Sequence, residues 1–241
     1  MAARNCQARP GARHNLLQPH VLLRAYASGL FPMADETGEI CWFSPNPRAV
    51  IFPDDCRLPA TSGAFLRSSP YVIRVDTAFE RVIDACRQRP EGSWINRDIL
   101  DGYCGLRDLG FAHSVEAWRG EELAGGLYGV AIGSVFFGES MFRRAAGASK
   151  HALLWLIERC RQAGYRMLDV QWLTPHLRTY GAVEISRRQY LKRLEAALQR
   201  PACFLRRQEV PVDWLKWCRQ VNEAELERRL DSQRSGVGRQ R

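Results

Sequence analysis

The chain has only three lysines among 241 residues, no uncharged run longer than sixteen residues, and no two cysteines closer than fifteen positions apart. Each scarcity excludes something. The longest uncharged run, Leu123 to Gly138, contains five glycines and is bounded by Glu122 and Glu139, so it is too short and too glycine-rich for a membrane helix. Without a C-x-x-C pair the eight cysteines offer no zinc site, and they read as scattered, reduced thiols of a cytosolic protein. The five histidines never fall at i, i+4, which leaves a helical metal site without support. There is no G-x-x-x-x-G-K-[ST] loop, so nothing points to ATP hydrolysis. Gly138-Glu139-Ser140-Met141-Phe142 begins like a nucleophile elbow but has Phe where the closing glycine must stand, which argues against a serine hydrolase.

What is present describes a globular chain of one or two domains, 46% apolar and 25% charged, able to bury a core without staples. The net charge of +9 is unevenly spread. Residues 1 to 34 carry four Arg and no acid, residues 35 to 199 carry twenty-one basic and twenty acidic groups, and the remainder carries ten basic and six acidic. Basic flanks around a near-neutral centre suit an anionic partner peripheral to the chemistry, such as RNA phosphates; solubilising tails fit equally well.

Apolar periodicity organises the chain. Residues 1–18 form a flexible basic leader. Pro19 opens a short helix closed by Gly29. Residues 30 to 48, with Pro32, Pro45, Pro47, Trp42 and Phe43, read as a long irregular segment too apolar to be left in water. Ala49 to Phe52 and Tyr71 to Val75 read as strands, and Thr77-Ala78-Phe79-Glu80 as a capping box opening a helix to about Arg89. Asn96 caps a helix to Leu109. An antiparallel meander follows in Ser114–Trp118, Leu123–Ile132 and Ser134–Gly138. Next come a helix over Ala148–Gln162, the strand Met167–Gln171, a helix from Thr174-Pro175 to Gly181, a helix from Ser186 to Gln199, and a charged amphipathic helix over Val210–Leu230. Three antiparallel strands, a helix, a strand and a helix suggest an α+β fold of N-acyltransferase type.

The chemistry-bearing residues sit on these short strands. Asp169 and Gln171, two apart, are expected on one face of their strand, with Leu168 and Val170 on the other. Glu139 and Ser140 end the meander beside the Gly138 bend. If both strands are central, two carboxylates and an amide converge at one cleft. The alternative is that Asp169 only salt-bridges one of the many Arg. Likewise Trp94, Trp118, Phe136, Phe137 and Trp155 are either core or ligand platform.

Eight motifs in one order then carry a resemblance: Gly29-Leu30-Phe31-Pro32, Trp42-Phe43-Ser44-Pro45-Asn46-Pro47-Arg48, Ser93-Trp94-Ile95, Ala112-His113-Ser114-Val115-Glu116, Gly125-Gly126-Leu127-Tyr128-Gly129-Val130, Gly138-Glu139-Ser140-Met141-Phe142, Ala148-Ser149-Lys150 and Asp169-Val170-Gln171. From about Val21 to Leu194 the chain resembles the leucyl/phenylalanyl-tRNA protein transferases. The resemblance implies a cytoplasmic, monomeric bacterial enzyme that moves Leu or Phe from Leu-tRNA or Phe-tRNA to the α-amine of proteins beginning with Arg or Lys, a degradation signal in the N-end rule pathway. It implies no cofactor and no metal. It implies a small N-terminal α/β domain (19–75), an acetyltransferase-like (GNAT-type) N-acyltransferase domain (76–200), and, beyond the family pattern, a basic C-terminal extension (201–241). By motif position Asp169, Gln171 and Glu139 are catalytic, with Ser140 beside them. Trp94 and Tyr103 match residues near the terminal adenosine of the tRNA, and Leu127, Phe136 and Leu168 match the pocket for the amino-acid side chain. Gln171, held by Asp169, would then orient the attacking amine, and Glu139 with Asp169 would attract a cationic acceptor.

The chain departs from the family at Met33, where many members have Trp, and at Arg143, where Ser is usual. Two rivals remain. An acetyl-CoA-dependent N-acetyltransferase shares the fold type, and Arg144 to Ser149 nearly fits a pyrophosphate-binding R-x-x-G-x-[GA] turn. A non-enzymatic RNA-binding module is favoured by the basic ends but leaves Glu139, Asp169 and Gln171 unexplained.

Overall fold

The computed structural model describes residues 17–56, 61–89 and 92–205. The chain divides into two compact units, Met1–Gln208 and Glu209–Arg241, and all described residues belong to the first. The helix expected over Val210–Leu230 and nearly all of the basic leader lie outside the described residues.

Helix α1 (Pro19–Ala27) starts on proline, whose missing N–H costs nothing in a first turn, and ends at Gly29, which takes φ +77°. The segment expected to be irregular is instead a hairpin, β1 (Phe31–Ala34) against β2 (Ile40–Phe43), with Pro32 opposite Trp42. Its turn is chemical rather than hydrophobic. Asp35 Oδ1 accepts the backbone N–H groups of Thr37 and Glu39 at 2.9 and 3.0 Å, and Gly38 takes φ +81°. An isolated ribbon tolerates proline that a central strand would not.

A mixed seven-stranded sheet forms the body of the protein, in the order β4 (Val72–Val75), β5 (Ala112–Arg119), β6 (Glu122–Ile132), β7 (Val135–Arg143), β8 (Met167–Gln171), β3 (Arg48–Ile51) and β9 (Val183–Ile185). All neighbours are antiparallel except β7 and β8. The meander, the helix that follows it and the strand after that helix stand where the alternating and helical periods placed them. The class is α+β. Strands β3 and β4 come from the part of the chain expected to form a separate N-terminal domain, so residues 19–75 and 76–200 share one sheet.

Helices cover both faces. On one side lies α5 (Ala148–Gln162), whose Ala152, Leu153, Leu156, Ile157 and Cys160 pack with Leu127, Phe136 and Leu168. On the other lie α1, α3 (Phe79–Arg87), α4 (Arg97–Asp108) and α7 (Arg187–Leu198). Two more helices, α2 (Thr61–Ser68) and the single turn α6 (Pro175–Arg178), sit in connections. Asn96 caps α4 by accepting the Ile99 N–H at 2.9 Å, and Ser186 caps α7 in a reciprocal box with Gln189. The box expected at Thr77 does not form, because Glu116 takes the donors. Buried on β5, it accepts the N–H groups of Thr77 and Ala78 at 3.0 and 2.9 Å and the hydroxyls of Thr77 and Ser114, so a carboxylate from the sheet holds the two residues that lead into α3. Of residues 201–205, expected to begin the extension, Phe204 belongs to the core, 1% exposed among His113, Phe136, Trp155 and Tyr165.

Candidate active site

The sheet opens where its one parallel pair ends. Strands β7 and β8 pair from Val135↔Met167 to Phe137↔Asp169, after which β7 runs on to Arg143 while β8 stops at Gln171. A bulge widens the gap. The β6–β7 register passes from Gly129↔Gly138 to Tyr128↔Ser140, leaving Glu139 as the extra residue, and such a residue bends its strand and re-aims its side chain. Gly129 permits this: a Cβ there would lie 2.2 Å from the Phe137 carbonyl oxygen. The opening holds a cavity of about 350 Å³, within the range of small-molecule sites. Its apolar wall is Leu127, Met141, Leu153, Leu156, Leu168 and Val170, and its polar groups include Arg89, Tyr128, Glu139, Ser140, Gln171 and His176. Phe31 and Met33 of the hairpin, with Trp94 and Trp172, border it too. The apolar segment thus folds back over the cavity, held by the Ala34 N–H on the Trp94 carbonyl at 3.1 Å.

Glu139 is the carboxylate that lines the cavity. Tyr26 donates to Oε1 at 2.7 Å and Tyr103 to Oε2 at 2.8 Å, and the two hydroxyl oxygens lie against each other. Burial pushes the Glu139 carboxyl up to about 7 against the pull of both tyrosine hydroxyls, and the nearby Asp169 charge adds to the rise while Arg48 opposes it. Burial, then the charge of Glu139, holds both tyrosines well above the ordinary phenol value, so they remain donors.

Asp169 is placed differently. It is fully buried and does not border the cavity. Arg48 Nε and Nη2 donate to it at 2.9 and 2.7 Å, Tyr190 donates to Oδ2 at 2.6 Å, and the Gln171 N–H donates to Oδ1 at 3.0 Å. The guanidinium lies between the rings of Phe31 and Tyr190, 4.7 and 4.6 Å from their centroids, and its Nη1 donates to the Gly29 carbonyl at 3.2 Å. Asp169 therefore forms a compensated buried pair, which is the salt-bridge alternative the sequence left open, and its bond to Gln171 adds a second role. Gln171 has φ +57°, so strand alternation ends there and its side chain reaches the cavity that Asp169 does not. Its Nε2 is buried without a protein partner.

The other expected positions divide in the same way. Ser140, Trp94, Leu127 and Leu168 line the cavity. Tyr103 and Phe136 do not. Tyr103 is spent on Glu139, and Phe136 packs on Phe204 at 5.0 Å in the core. Sequence reasoning missed Tyr26, Tyr190 and the role of Arg48, although Arg48 ended one of the motifs. Among the described residues no group of three His, Cys, Asp or Glu is arranged to hold a metal ion, and no helix is long and apolar enough to cross a membrane.

Comparison with known proteins agrees with the motifs. The family model described as leucyl/phenylalanyl-tRNA protein transferase matches residues 50–195, and that of its N-terminal domain matches residues 15–46. A leucyl/phenylalanyl-tRNA--protein transferase of Zymomonas mobilis is 47% identical over 190 residues, 76% of this chain and 70% of that one. The protein of the same name from Akkermansia muciniphila is 48% identical over 187 residues, 76% of this chain and 97% of that one. Among solved structures, L-PGS from Bacillus licheniformis overlaps 83% of this chain and 69% of its own at 13% identity and a TM-score of 0.35, too loosely to argue a common fold.

Proposed function

Since the chain belongs to the leucyl/phenylalanyl-tRNA protein transferase family, we propose that it moves Leu or Phe from aminoacyl-tRNA to a protein's N-terminal α-amine, with Glu139 and Gln171 meeting the reacting atoms. The observation that carries this reading is their joint presence in one cavity with an apolar wall, Glu139 from the bulge of β7 and Gln171 from the end of β8. The splayed parallel pair, joined through α5, also supports an acetyltransferase-like fold.

An aminoacyl ester needs no further activation. The obstacle is the acceptor amine, which with an ordinary pKa of about 7.7 to 8.0 is largely protonated at neutral pH. A carboxyl raised to about 7 is well matched to take that proton, being about half ionised at neutral pH. Glu139 accepts one proton from the ammonium, and the freed lone pair forms the C–N bond to the ester carbonyl carbon. The bond from that carbon to the ribose oxygen then breaks, the second proton lost by nitrogen goes to the leaving oxygen, and Glu139 gives its proton to water. The Gln171 amide N–H, unspent on protein, donates to the carbonyl oxygen as charge develops there. Asp169 acts through Gln171 as a positioning residue, fixed by Arg48 and Tyr190.

The apolar wall accepts both Leu and Phe, because such pockets separate similar hydrophobes by only about 1 to 3 kcal/mol. Acceptors beginning with Arg or Lys, cytoplasmic location, a monomeric state and use of the product as an N-end rule signal complete the proposal. With Asp169 compensated by Arg48, Glu139 is the lining carboxylate left to draw in a cationic terminus. The test is transfer of labelled Phe and Leu from their tRNAs to an Arg-initiated peptide. Label on the α-amine, reduced about a hundredfold in Glu139→Gln, is expected; acetylation of the peptide from acetyl-CoA, without transfer from tRNA, would sink the assignment.

A further inference from the structure

The mouth of the cavity carries a ring that the steps above do not use. At the end of β8 the Trp172 N–H closes on the Val170 carbonyl at 2.7 Å, with Gln171 at φ +57° between them, a γ-turn. The turn leaves Gln171 buried in the cavity and Trp172 at its rim, 45% exposed. The indole is wedged against Phe31 and Phe43 of the hairpin, close to edge-on, with centroids 5.2 and 6.3 Å away. Phe31, Met33, Cys41 and Phe43 share one face of that hairpin, because residues opposite each other in an antiparallel pair lie on the same side. Scattered exposed rings carry no meaning, but one that continues an apolar face at the mouth of a reaction cavity marks a docking surface.

Charge says what docks there. Residues 30–47, the hairpin and its flanks, hold Asp35, Glu36 and Glu39 and no Lys, Arg or His. The guanidiniums of Arg48 and Arg187, which touch this segment, are engaged by Asp169 and by the Ser44 carbonyl. The cations at the cavity lie elsewhere: Arg89 just beyond α3, and Lys150 and Arg143 at His176, which burial and their charges hold below its ordinary value. A polyanion is drawn to those cations, whereas an acidic, aromatic ledge suits a peptide chain. With the acceptor's amine between Glu139 and Gln171, the next Cα lies about 3.8 Å further along, so a chain leaving past Gln171 meets Trp172 one residue on.

We propose that Trp172 is a specificity-determining residue for the acceptor: its ring is the platform for the side chain of the acceptor's second residue, and it selects aromatic or arginine side chains over acidic ones. This platform rests on the aminoacyl-transfer reading of the cavity and adds to it a preference one residue beyond the amine. An aromatic side chain stacks on the indole and an arginine lies over its face, while a carboxylate meets the like charges of the hairpin.

Acceptors that differ only at the second residue isolate the contact: Arg-Phe-Gly-Gly, Arg-Gly-Gly-Gly and Arg-Asp-Gly-Gly, each with Phe-tRNA as donor. In the wild type kcat/KM should be about fivefold higher for the phenylalanine acceptor than for the glycine one, the factor that one aromatic pair gives, and lowest for the aspartate one. Trp172→Ala should bring the first ratio to about one by raising KM for the phenylalanine acceptor, and Trp172→Phe should keep part of it. A wild-type ratio of one, a ratio that survives Trp172→Ala, or an aspartate acceptor equal to the phenylalanine one would each overturn the platform. So would a Trp172→Ala variant that loses kcat equally with all three peptides, which would make the ring a support for Gln171. A higher KM for Phe-tRNA with the peptide ratio unchanged would give the ledge to the donor and overturn it too. In all these cases transfer itself still stands, whereas no product from Phe-tRNA with any of the three peptides would remove the reading beneath it. Melting curves matching the wild type show that each change is one of binding rather than folding, and Trp172→Phe keeps the test open if Trp172→Ala does not fold.

Discussion

A fully buried carboxylate and a partly buried one stand on neighbouring strands within one sheet, and their surroundings divide the labour. Asp169 at the end of β8 receives two guanidinium bonds, a tyrosine hydroxyl and a backbone N–H, and has no opening to the cavity. Glu139 at the bulge of β7 receives only two tyrosine hydroxyls, borders the cavity and is pushed up to about 7 by burial. A charge fully paired inside a protein has little left to offer a substrate and is costly to disturb. A carboxyl bonded only by neutral donors keeps its proton affinity adjustable. The comparison teaches that proximity to the site does not assign a role; the partners do.

The largest effect should come from breaking the Asp169 pair. Arg48→Ala leaves a buried carboxylate uncompensated and should cost about 3 to 5 kcal/mol in chemical denaturation. A loss below about 1 kcal/mol would mean that water reaches Asp169. Next is the chemical step. Glu139→Gln should lower kcat for transfer about a hundredfold, near 2.7 kcal/mol of barrier, with a thermal midpoint close to wild type. If the midpoint collapses instead, Glu139 is structural and the contrast with Asp169 disappears.

The same residue sets a pH signature in stability. Its folded pKa lies above the ordinary value of 4.5, so the folded protein holds this proton more tightly than the unfolded chain does. Its contribution is therefore fully present below about 4.5 and is lost as pH rises to about 7. Urea midpoints taken across that interval should fall in the wild type more than in Glu139→Gln, and parallel curves would refute the shift. Smaller still, Tyr190→Phe removes one of the donors to Asp169 and should cost about 1 kcal/mol in urea denaturation, without the rate loss of Glu139→Gln. The smallest change is expected in the apolar wall: Met141→Ala enlarges the pocket and should move the preference severalfold toward Phe over Leu, about 1 kcal/mol, read from competing Phe-tRNA and Leu-tRNA.

Much of this architecture was legible from local signals. Asn96 and Ser186 cap the helices they were expected to cap, α5 and β8 keep their expected limits, and the change from helical to alternating period marks the meander. What was not legible depends on distant partners or on the backbone. Arg48 meets Asp169 across 121 positions, and nothing in either neighbourhood names the other. Thr77 reads as a cap from its own tetrapeptide, yet Glu116, 39 residues on, takes its hydroxyl and its N–H. Period-two alternation put Asp169 and Gln171 on one face, and the positive φ of Gln171 separates them. The bulge that singles out Glu139 lies in register, a property of two strands together, and Gly129 hints at it only once Phe137 is known to lie opposite.

The central claim is that Glu139 takes the proton from the attacking amine. The most direct test is the pH dependence of single-turnover transfer from Phe-tRNA to an Arg-initiated peptide, in wild type and in Glu139→Gln. The wild-type rate should rise with pH through an inflection near 7 and a second near 8, belonging to Glu139 and to the amine. In Glu139→Gln the rate should fall about a hundredfold and keep only the inflection of the amine. A variant that retains the wild-type rate and both inflections would contradict the account.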